Sequence, residues 1–237
     1  MRCRLRPPLT ANDLAFMSEG PSDPLDLTCA LIERKQPRWL IGWRDITNAT
    51  NERTVIASVF PKLPMSHTAP LLFSNCAPNS IAGLVAALSS LSLDFIARQK
   101  IGGTHLTLGY LQQLLLLNPS DFDVDDQDFI APRVPELTYT SYSMRPWAED
   151  LGHYGTPFAW DEERRAQLRA ELDAFFARKY GLTREELVYI LDRAKAKGPD
   201  YPSETFRVLQ KNQTERFGEY RTERLVLAAL DRLTCNG

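Results

Sequence analysis

The chain has 237 residues, 43% hydrophobic and 24% charged, which is enough for a substantial core in one large domain or two small ones. Its net charge of −2 gives no global positive field, so any contact with nucleic acid has to come from local patches. Four scattered cysteines and three separated histidines argue against a disulfide framework and a zinc site. Because no apolar run reaches about 18 residues, we expect a soluble cytoplasmic protein with no membrane partner.

The N-terminal part has few structural signals until residue 39. Residues 1–30 are rich in proline and acidic side chains, so we expect loops there, with at most one strand. From residue 30 to 46 the pattern is strand-like, and the apolar run at 39–43 predicts the first strand. A polar turn follows at 45–54, and the run at 55–60 predicts a second strand that ends at Pro61.

The polar loop between these strands contains residue types that read base edges, because arginine forks onto guanine and asparagine pairs with adenine. These are Arg44, Asn48, Asn51 and Arg53. The threonines at 47, 50 and 54 are able to donate to phosphates. The alternative is a structural turn in which the short polar side chains satisfy their own backbone.

A central amphipathic helix is predicted next. Apolar residues recur at spacings of three and four from 81 to 96, after a start at 78–80. Gly102 and Gly103 predict its stop, with a left-handed residue closing the last turn. Cations in a last turn also complement the helix dipole, so such an end often binds nothing.

Polar side chains converge at the predicted end of this helix. Two cations, Arg98 and Lys100, and the hydroxyl of Thr104 are expected to bind phosphates. Gln99 and His105 are candidate base readers. The two glycines would let the backbone come close to the DNA.

The middle of the chain is read as irregular. A short strand or turn is predicted at 106–108, and the apolar run at 114–117 should be buried. Five aspartates at 121–128 lack the calcium-loop pattern and predict a solvated linker. Residues 136–160 form a connector rich in proline and aromatics, which are expected to pack between subdomains.

The last third predicts four helices. Asp161 caps the first, which runs to Tyr180 and stops at Gly181. Thr183 opens a capping box for the second. The third begins at 203 or 204 and ends near 218, and the fourth covers 220–233.

Several of these segments resemble one protein family. The sequence Asp-Phe-Ile-Ala-Arg-Gln-Lys-Ile-Gly-Gly-Thr-His-Leu at 94–106 and the leucine-rich 111–119 look like the target-recognition region near the C-terminus of large adenine-N6 DNA methyltransferases. These are type IIG restriction–modification enzymes and related phage-defence methylases. The loop at 44–61 is similar to a segment of that region. Four stretches of the last third, 170–176, 180–192, 201–209 and 217–222, resemble its tail in the same order.

The residues that carry the family's chemistry are missing. An adenine-N6 methyltransferase needs an Asn/Asp-Pro-Pro-aromatic loop for the flipped base, and the nearest string here is Asn-Pro-Ser-Asp at 118–121. No glycine-rich turn follows a strand to bind S-adenosylmethionine. We therefore expect no cofactor in this chain, with S-adenosylmethionine and magnesium confined to a catalytic partner or missing domain.

The sequence predicts a mixed α+β fold. A recognition region with strands and a central helix covers 1–135, and a helical region covers 161–237. The resemblance implies a double-stranded DNA recognition module of a restriction–modification or phage-defence system, acting by binding rather than turnover. Alternatives are an inactive remnant and a subunit that docks on a separate methyltransferase or nuclease. A small nuclease would require Asp26, Glu33 and Lys35 to converge on magnesium.

Overall fold

The computed structural model describes residues 10–74, 76–118, 121–201 and 205–235, without the Lys35 side chain. The chain divides into two compact units, Met1–Arg38 and Trp39–Gly237. This boundary differs from those predicted at residues 135 and 161, because the strands, the connector and the C-terminal helices all belong to the second unit.

Two helices occupy the first unit, where loops were predicted up to residue 30 and a strand-like segment from there on. Helix α1, Ala11–Glu19, starts at a capping box between Thr10 and Asp13. Helix α2, Pro24–Lys35, is capped by Asp23, whose carboxylate accepts from two backbone N–H groups of the first turn. The prediction was wrong because the proline-rich composition was taken as a sign of loops. Proline at the first helical position instead favours a helix start.

A three-stranded antiparallel sheet opens the second unit. Strand β1, Trp39–Trp43, lies between β2, Ala57–Pro61, and the short β3, Leu71–Leu72. The predicted pair is confirmed, and Ile41 of β1 lies opposite Val59 of β2. The third strand was not predicted. The fold is α+β, as expected.

The predicted central helix is two helices. Helix α3, Pro78–Leu88, and helix α4, Leu91–Lys100, meet at an angle of 58°. The Ser90 hydroxyl accepts from Leu93 N at 3.3 Å and so starts α4 afresh. The predicted left-handed closure is also wrong, since α4 ends at Ile101 with φ −80 and neither following glycine has a positive φ.

No single helix in the described part of the chain is long and apolar enough to cross a membrane. Helices α3 and α4 together, as a bent pair, reach that length and apolar character. Most of their side chains are buried within the protein.

Short helices fill the middle of the chain: α5 at Leu108–Leu111, α6 at Val124–Ile130, α7 at Arg133–Thr138, a 3-10 turn at Tyr142–Met144 and α8 at Arg145–Asp150. The aspartate-rich segment is not a solvated linker. Asp123 caps α6 through a capping box, and buried Asp126 forms an ion pair with Lys179. The run at 114–117 is buried only in part, because Leu115 is 66% exposed.

The C-terminal helices are α9 at Glu162–Lys179, α10 at Arg184–Leu191, α11 at Arg193–Lys197, α12 at Arg207–Phe217 and α13 at Arg221–Cys235. The Asp161 cap and the Thr183 capping box are confirmed. Gly181 and Gly218 follow α9 and α12 with φ of 71° and 75°, as the stop signals predicted. The predicted start of the third helix at 203 or 204 lies outside the described residues, and α11 was not predicted.

Three hydrophobic clusters hold the second unit together. The first packs the sheet against α3 and α9 around fully buried Trp147 and Phe176. The second joins α9, α10, α12 and α13 around Phe206 and Val226. The third lies under the loop after β1 and includes Trp43. Of the connector aromatics, Tyr139 and Trp147 are buried as expected, whereas Tyr142, Tyr154 and Trp160 are exposed.

Candidate nucleic-acid interface

The loop between β1 and β2 is held from below by a carboxylate of helix α4. Asp94 is fully buried, and its Oδ1 accepts from Thr54 N at 2.8 Å and from Val55 N at 2.6 Å. Its Oδ2 accepts from Arg98 Nε at 2.8 Å, one helical turn later. One carboxylate therefore fixes the end of the loop and orients an arginine toward the rest of it.

Arg98 is only 8% exposed and supports the loop from inside the protein. Its terminal nitrogens donate to carbonyl oxygens of residues 49, 51 and 52 at 2.8 to 2.9 Å, and to Thr205 O at 2.5 Å. The guanidinium also lies over the Phe206 ring, 4.6 Å from its centroid. The prediction that Arg98 anchors a phosphate is wrong for this conformation, because protein acceptors surround its guanidinium.

The segment after α4 runs along the same loop. Thr47 N donates to Thr104 O at 2.9 Å, and Leu106 N donates to Asp45 O at 2.7 Å. Ile46 and His105 form an isolated antiparallel bridge. The structure therefore brings the two predicted recognition segments, 44–54 and 99–105, side by side on one backbone framework.

Within the loop, the short polar side chains satisfy one another. Asn48 Oδ1 accepts from both the backbone and the hydroxyl of Thr50, at 2.9 and 2.7 Å. Asn51 Nδ2 donates to Thr47 Oγ1 at 3.3 Å, and the buried Thr47 hydroxyl donates to Thr54 O at 2.8 Å. The alternative of a self-satisfied turn thus describes these side chains, and buried Thr47 and Thr54 are unsuited to donate to a phosphate.

Exposed polar groups remain along the outer edge of the paired segments. Arg44, Gln99, Lys100, Thr104 and His105 are all exposed. His105 Nδ1 and Asp45 Oδ2 lie 2.7 Å apart, which orients the imidazole while more than half of its surface stays open. We call these five residues, with Gly102 and Gly103, the exposed polar edge.

Neither glycine of this edge is required by local packing. A Cβ atom added at Gly102 or Gly103 would meet no atom within 4 Å, and neither residue has a positive φ. The described structure therefore leaves open space around two consecutive backbone units beside exposed cations. Open backbone of this kind allows close approach by a large ligand.

Arg53, the fourth base reader predicted in the loop, faces another part of the protein. Its guanidinium donates to the Ser89 carbonyl between α3 and α4, and its side chain lines a cavity against α9. It does not belong to the exposed polar edge.

Two acidic residues, Asp94 and Asp45, hold the site together, and neither was singled out from the sequence. Asp94 and Arg98 have the spacing of an ion pair on one helix face, and this signal was available. The role of Asp45 depends on a contact with His105, 60 residues away, which no local pattern indicates.

The two carboxylates that the nuclease alternative requires lie apart. Asp26 and Glu33 lie seven residues apart on α2, which separates their backbone positions by roughly 10 Å along the helix axis. The Lys35 side chain is outside the described part. Within the described ranges no group of three histidine, cysteine or acidic side chains is placed to hold a metal ion.

Comparisons with known proteins found no relative. No protein-family model matches the chain, and neither the curated proteins nor the solved structures contain a significant match.

Proposed function

We propose that this chain is a sequence-specific recognition module for double-stranded DNA, belonging to a cytoplasmic restriction–modification or phage-defence methyltransferase system. The observation that carries the proposal is the pairing of segments 44–54 and 99–105, which presents the exposed polar edge on a fixed framework. The resemblance of both segments to one recognition region led to the same assignment.

The framework matters because a preorganised surface loses little conformational entropy on binding. The buried pair Asp94 and Arg98 holds the loop backbone at five positions before any ligand arrives. The side chains at its edge can then meet DNA without first folding the loop.

Roles within the edge follow from side-chain chemistry. Lys100 and Thr104 would contact phosphates, which position the protein on the duplex. Arg44, Gln99 and His105 have donors or acceptors suited to base edges in the major groove. Asn48, Asn51 and Arg98 would act indirectly, by maintaining the shape of the loop.

Chemistry on the bound DNA would come from elsewhere. S-adenosylmethionine and magnesium would be held by a separate methyltransferase or nuclease part, for which this chain supplies the target. Binding, without turnover by this chain, is its proposed contribution.

The docking alternative has less support from the surface. It predicts an exposed apolar face on the helices from 161 to 233. Among the described residues of that region, the large apolar side chains that reach the surface are Tyr201 and Phe217, whereas the helices bury their apolar faces against one another.

The test measures the salt dependence of duplex DNA binding by fluorescence anisotropy. The double variant Arg44→Ala/Lys100→Ala removes two exposed cations of the edge. Lys211→Ala/Arg232→Ala removes the same charge from exposed positions on α12 and α13. We expect the slope of log affinity against log salt to fall by about 2 for the first variant only. Absence of salt-sensitive binding, or equal behaviour of the two variants, would contradict the proposal.

A further inference from the structure

The second compact unit contains a cavity of about 630 Å³. It lies between the end of the β1–β2 loop, helices α3 and α7, and helices α9, α12 and α13. This volume is in the range of pockets that enclose small organic ligands. The cavity is separate from the exposed polar edge, since Arg53 is the one residue of the predicted DNA site that lines it.

Arginines are concentrated on its wall. Four of them line the cavity: Arg53, Arg169, Arg216 and Arg221. Two are matched by acids of the first turn of α9, since Arg216 pairs with Glu162 and Arg221 with Glu163, both at 2.7 Å. Arg53 and Arg169 have no such ion pair among the described residues.

Arg169 is the least compensated of the four. Its side chain is exposed, and among the described residues it forms no hydrogen bond to a protein acceptor. Desolvation lowers the pKa of Arg169, and the like charges of Arg53 and Arg221 lower it further, against the attraction of Asp173. A bound anion would replace solvent as the hydrogen-bond acceptor of this guanidinium and add to the countercharge that Asp173 supplies.

Asp173 offers only part of that countercharge. It is buried, its Oδ1 accepts from Leu91 N at 2.7 Å, and burial raises its pKa to about 6. This carboxyl therefore accepts a hydrogen bond at the start of α4 and also interacts electrostatically with Arg53 and Arg169. Arg53 and Arg169, which both line the cavity, could therefore also bind an anion of higher charge.

The deeper wall is apolar. Aliphatic side chains from α3, α7, α9 and α12 line it: Val85, Val134, Leu172 and Leu209. At the rim, Gln213 and Thr222 already bond each other through two contacts of 2.8 Å, while Asn212 is exposed. A ligand would thus meet guanidinium groups and hydrocarbon, beside the acids Glu52, Glu162 and Asp173 that also line the cavity.

We propose that this cavity binds a small phosphate monoester of mononucleotide size, with Arg169 and Arg53 holding the phosphate. A phosphate monoester fits better than a carboxylate because it carries close to two negative charges and three acceptor oxygens. Guanidinium forks match this geometry. The proposal stands independently of DNA binding.

Isothermal titration calorimetry with the full chain provides the test. The probes are the four ribonucleoside 5′-monophosphates and pyridoxal 5′-phosphate, with adenosine and inorganic phosphate as body-only and anion-only controls. We expect at least one monoester to bind at or below about 1 mM, and each control to bind about tenfold or more weakly. If no monoester binds at about 1 mM, the proposal is overturned.

Variants locate the binding. Arg169→Gln should weaken binding of that monoester about tenfold or more, and Arg169→Lys should be intermediate because it keeps the charge but loses the fork. Arg232→Gln makes the same charge change at an exposed site outside the cavity and should bind like the parent. Equal affinity of Arg169→Gln and Arg232→Gln would refute the assignment.

A final variant separates this site from the DNA surface. Arg44→Ala/Lys100→Ala should keep full affinity for the monoester, since neither residue lines the cavity. Monoester binding without DNA binding would leave this inference standing and remove the proposed function. DNA binding without monoester binding would overturn this inference and leave the proposed function standing.

Discussion

Arg98 Nε donates to Asp94 Oδ2 at 2.8 Å, and this buried pair holds five backbone groups of the loop between β1 and β2. The pair links a helix to a loop that lies 39 to 49 residues earlier in the chain. Its two members depend on each other, because either charge alone would be buried without a partner.

Removing Arg98 should therefore affect folding. We expect Arg98→Ala to lower the free energy of unfolding by about 3 to 5 kcal/mol, since it leaves the Asp94 carboxylate uncompensated in the interior. Urea denaturation measures this change. Lys100→Ala, two residues on and exposed, should stay within about 0.5 kcal/mol of the parent. Equal stability of the two variants would show that the pair does not hold the loop.

Asp173 should make the free energy of unfolding fall as pH rises, which is the opposite of the usual effect of a carboxyl group. Burial raises its pKa from 3.8 to about 6, while the cations Arg53 and Arg169 lower it and the carboxylate of Asp94 raises it. A raised pKa means that the folded state binds the proton more tightly than the unfolded state. Stability from this group is therefore greatest below about pH 4 and is lost as pH rises through about 6.

The variant Asp173→Asn removes this titration and still accepts from Leu91 N. Relative to the parent, we expect it to gain about 3 kcal/mol of unfolding free energy between about pH 4 and pH 7.5. Glu136→Gln is the control of opposite sign, because hydrogen bonds from Arg164 lower the pKa of Glu136. A pH-independent difference between Asp173→Asn and the parent would contradict the assignment.

The break between α3 and α4 should depend on one hydroxyl. Ser90 is buried and caps α4, so Ser90→Ala should cost about 1 to 2 kcal/mol of stability. The neighbouring Ser89 is exposed and caps nothing through its side chain, so Ser89→Ala should be close to neutral. Thermal unfolding of the two variants compares them directly. A larger loss of stability from Ser89→Ala than from Ser90→Ala would contradict the role of the Ser90 hydroxyl at this break.

Gly102 and Gly103 allow folding to be separated from binding. Because a Cβ atom fits at both positions, Gly102→Val/Gly103→Val should change stability by no more than about 1 kcal/mol. It should nevertheless weaken DNA binding, since the added side chains cover the open backbone of the exposed polar edge. Gly181→Val is the contrasting variant, as a φ of 71° strains any side chain there. Unchanged DNA affinity in the double variant would remove these glycines from the interface.

Local signals were enough to predict much of the fold. Asp161, Thr183, Gly181 and Gly218 begin or end helices through contacts within a few residues, so their sequence positions carry the information. The first two strands followed from apolar runs bounded by turns. The break at Ser90 was missed because the apolar spacing continues through both helices.

The candidate site was predictable in position but only partly in detail. Segments 44–54 and 99–105 were both recognised, and the structure places them side by side. Arg98 was misjudged because a cation in a last helical turn usually faces solvent, whereas here carbonyls from distant segments enclose it. The cavity arginine Arg169 was missed for a similar reason, since its neighbours come from several separate helices.

Selection from a pool of random duplex DNA tests the central claim most directly. The full chain would be bound to the pool at about 50 mM and about 200 mM salt, and the retained DNA sequenced. We expect an enriched sequence and weaker retention at the higher salt. Retention and enrichment should both be lost with Arg44→Ala/Lys100→Ala but not with Lys211→Ala/Arg232→Ala. No retention at the lower salt, or retention without any enriched sequence, would contradict a specificity module.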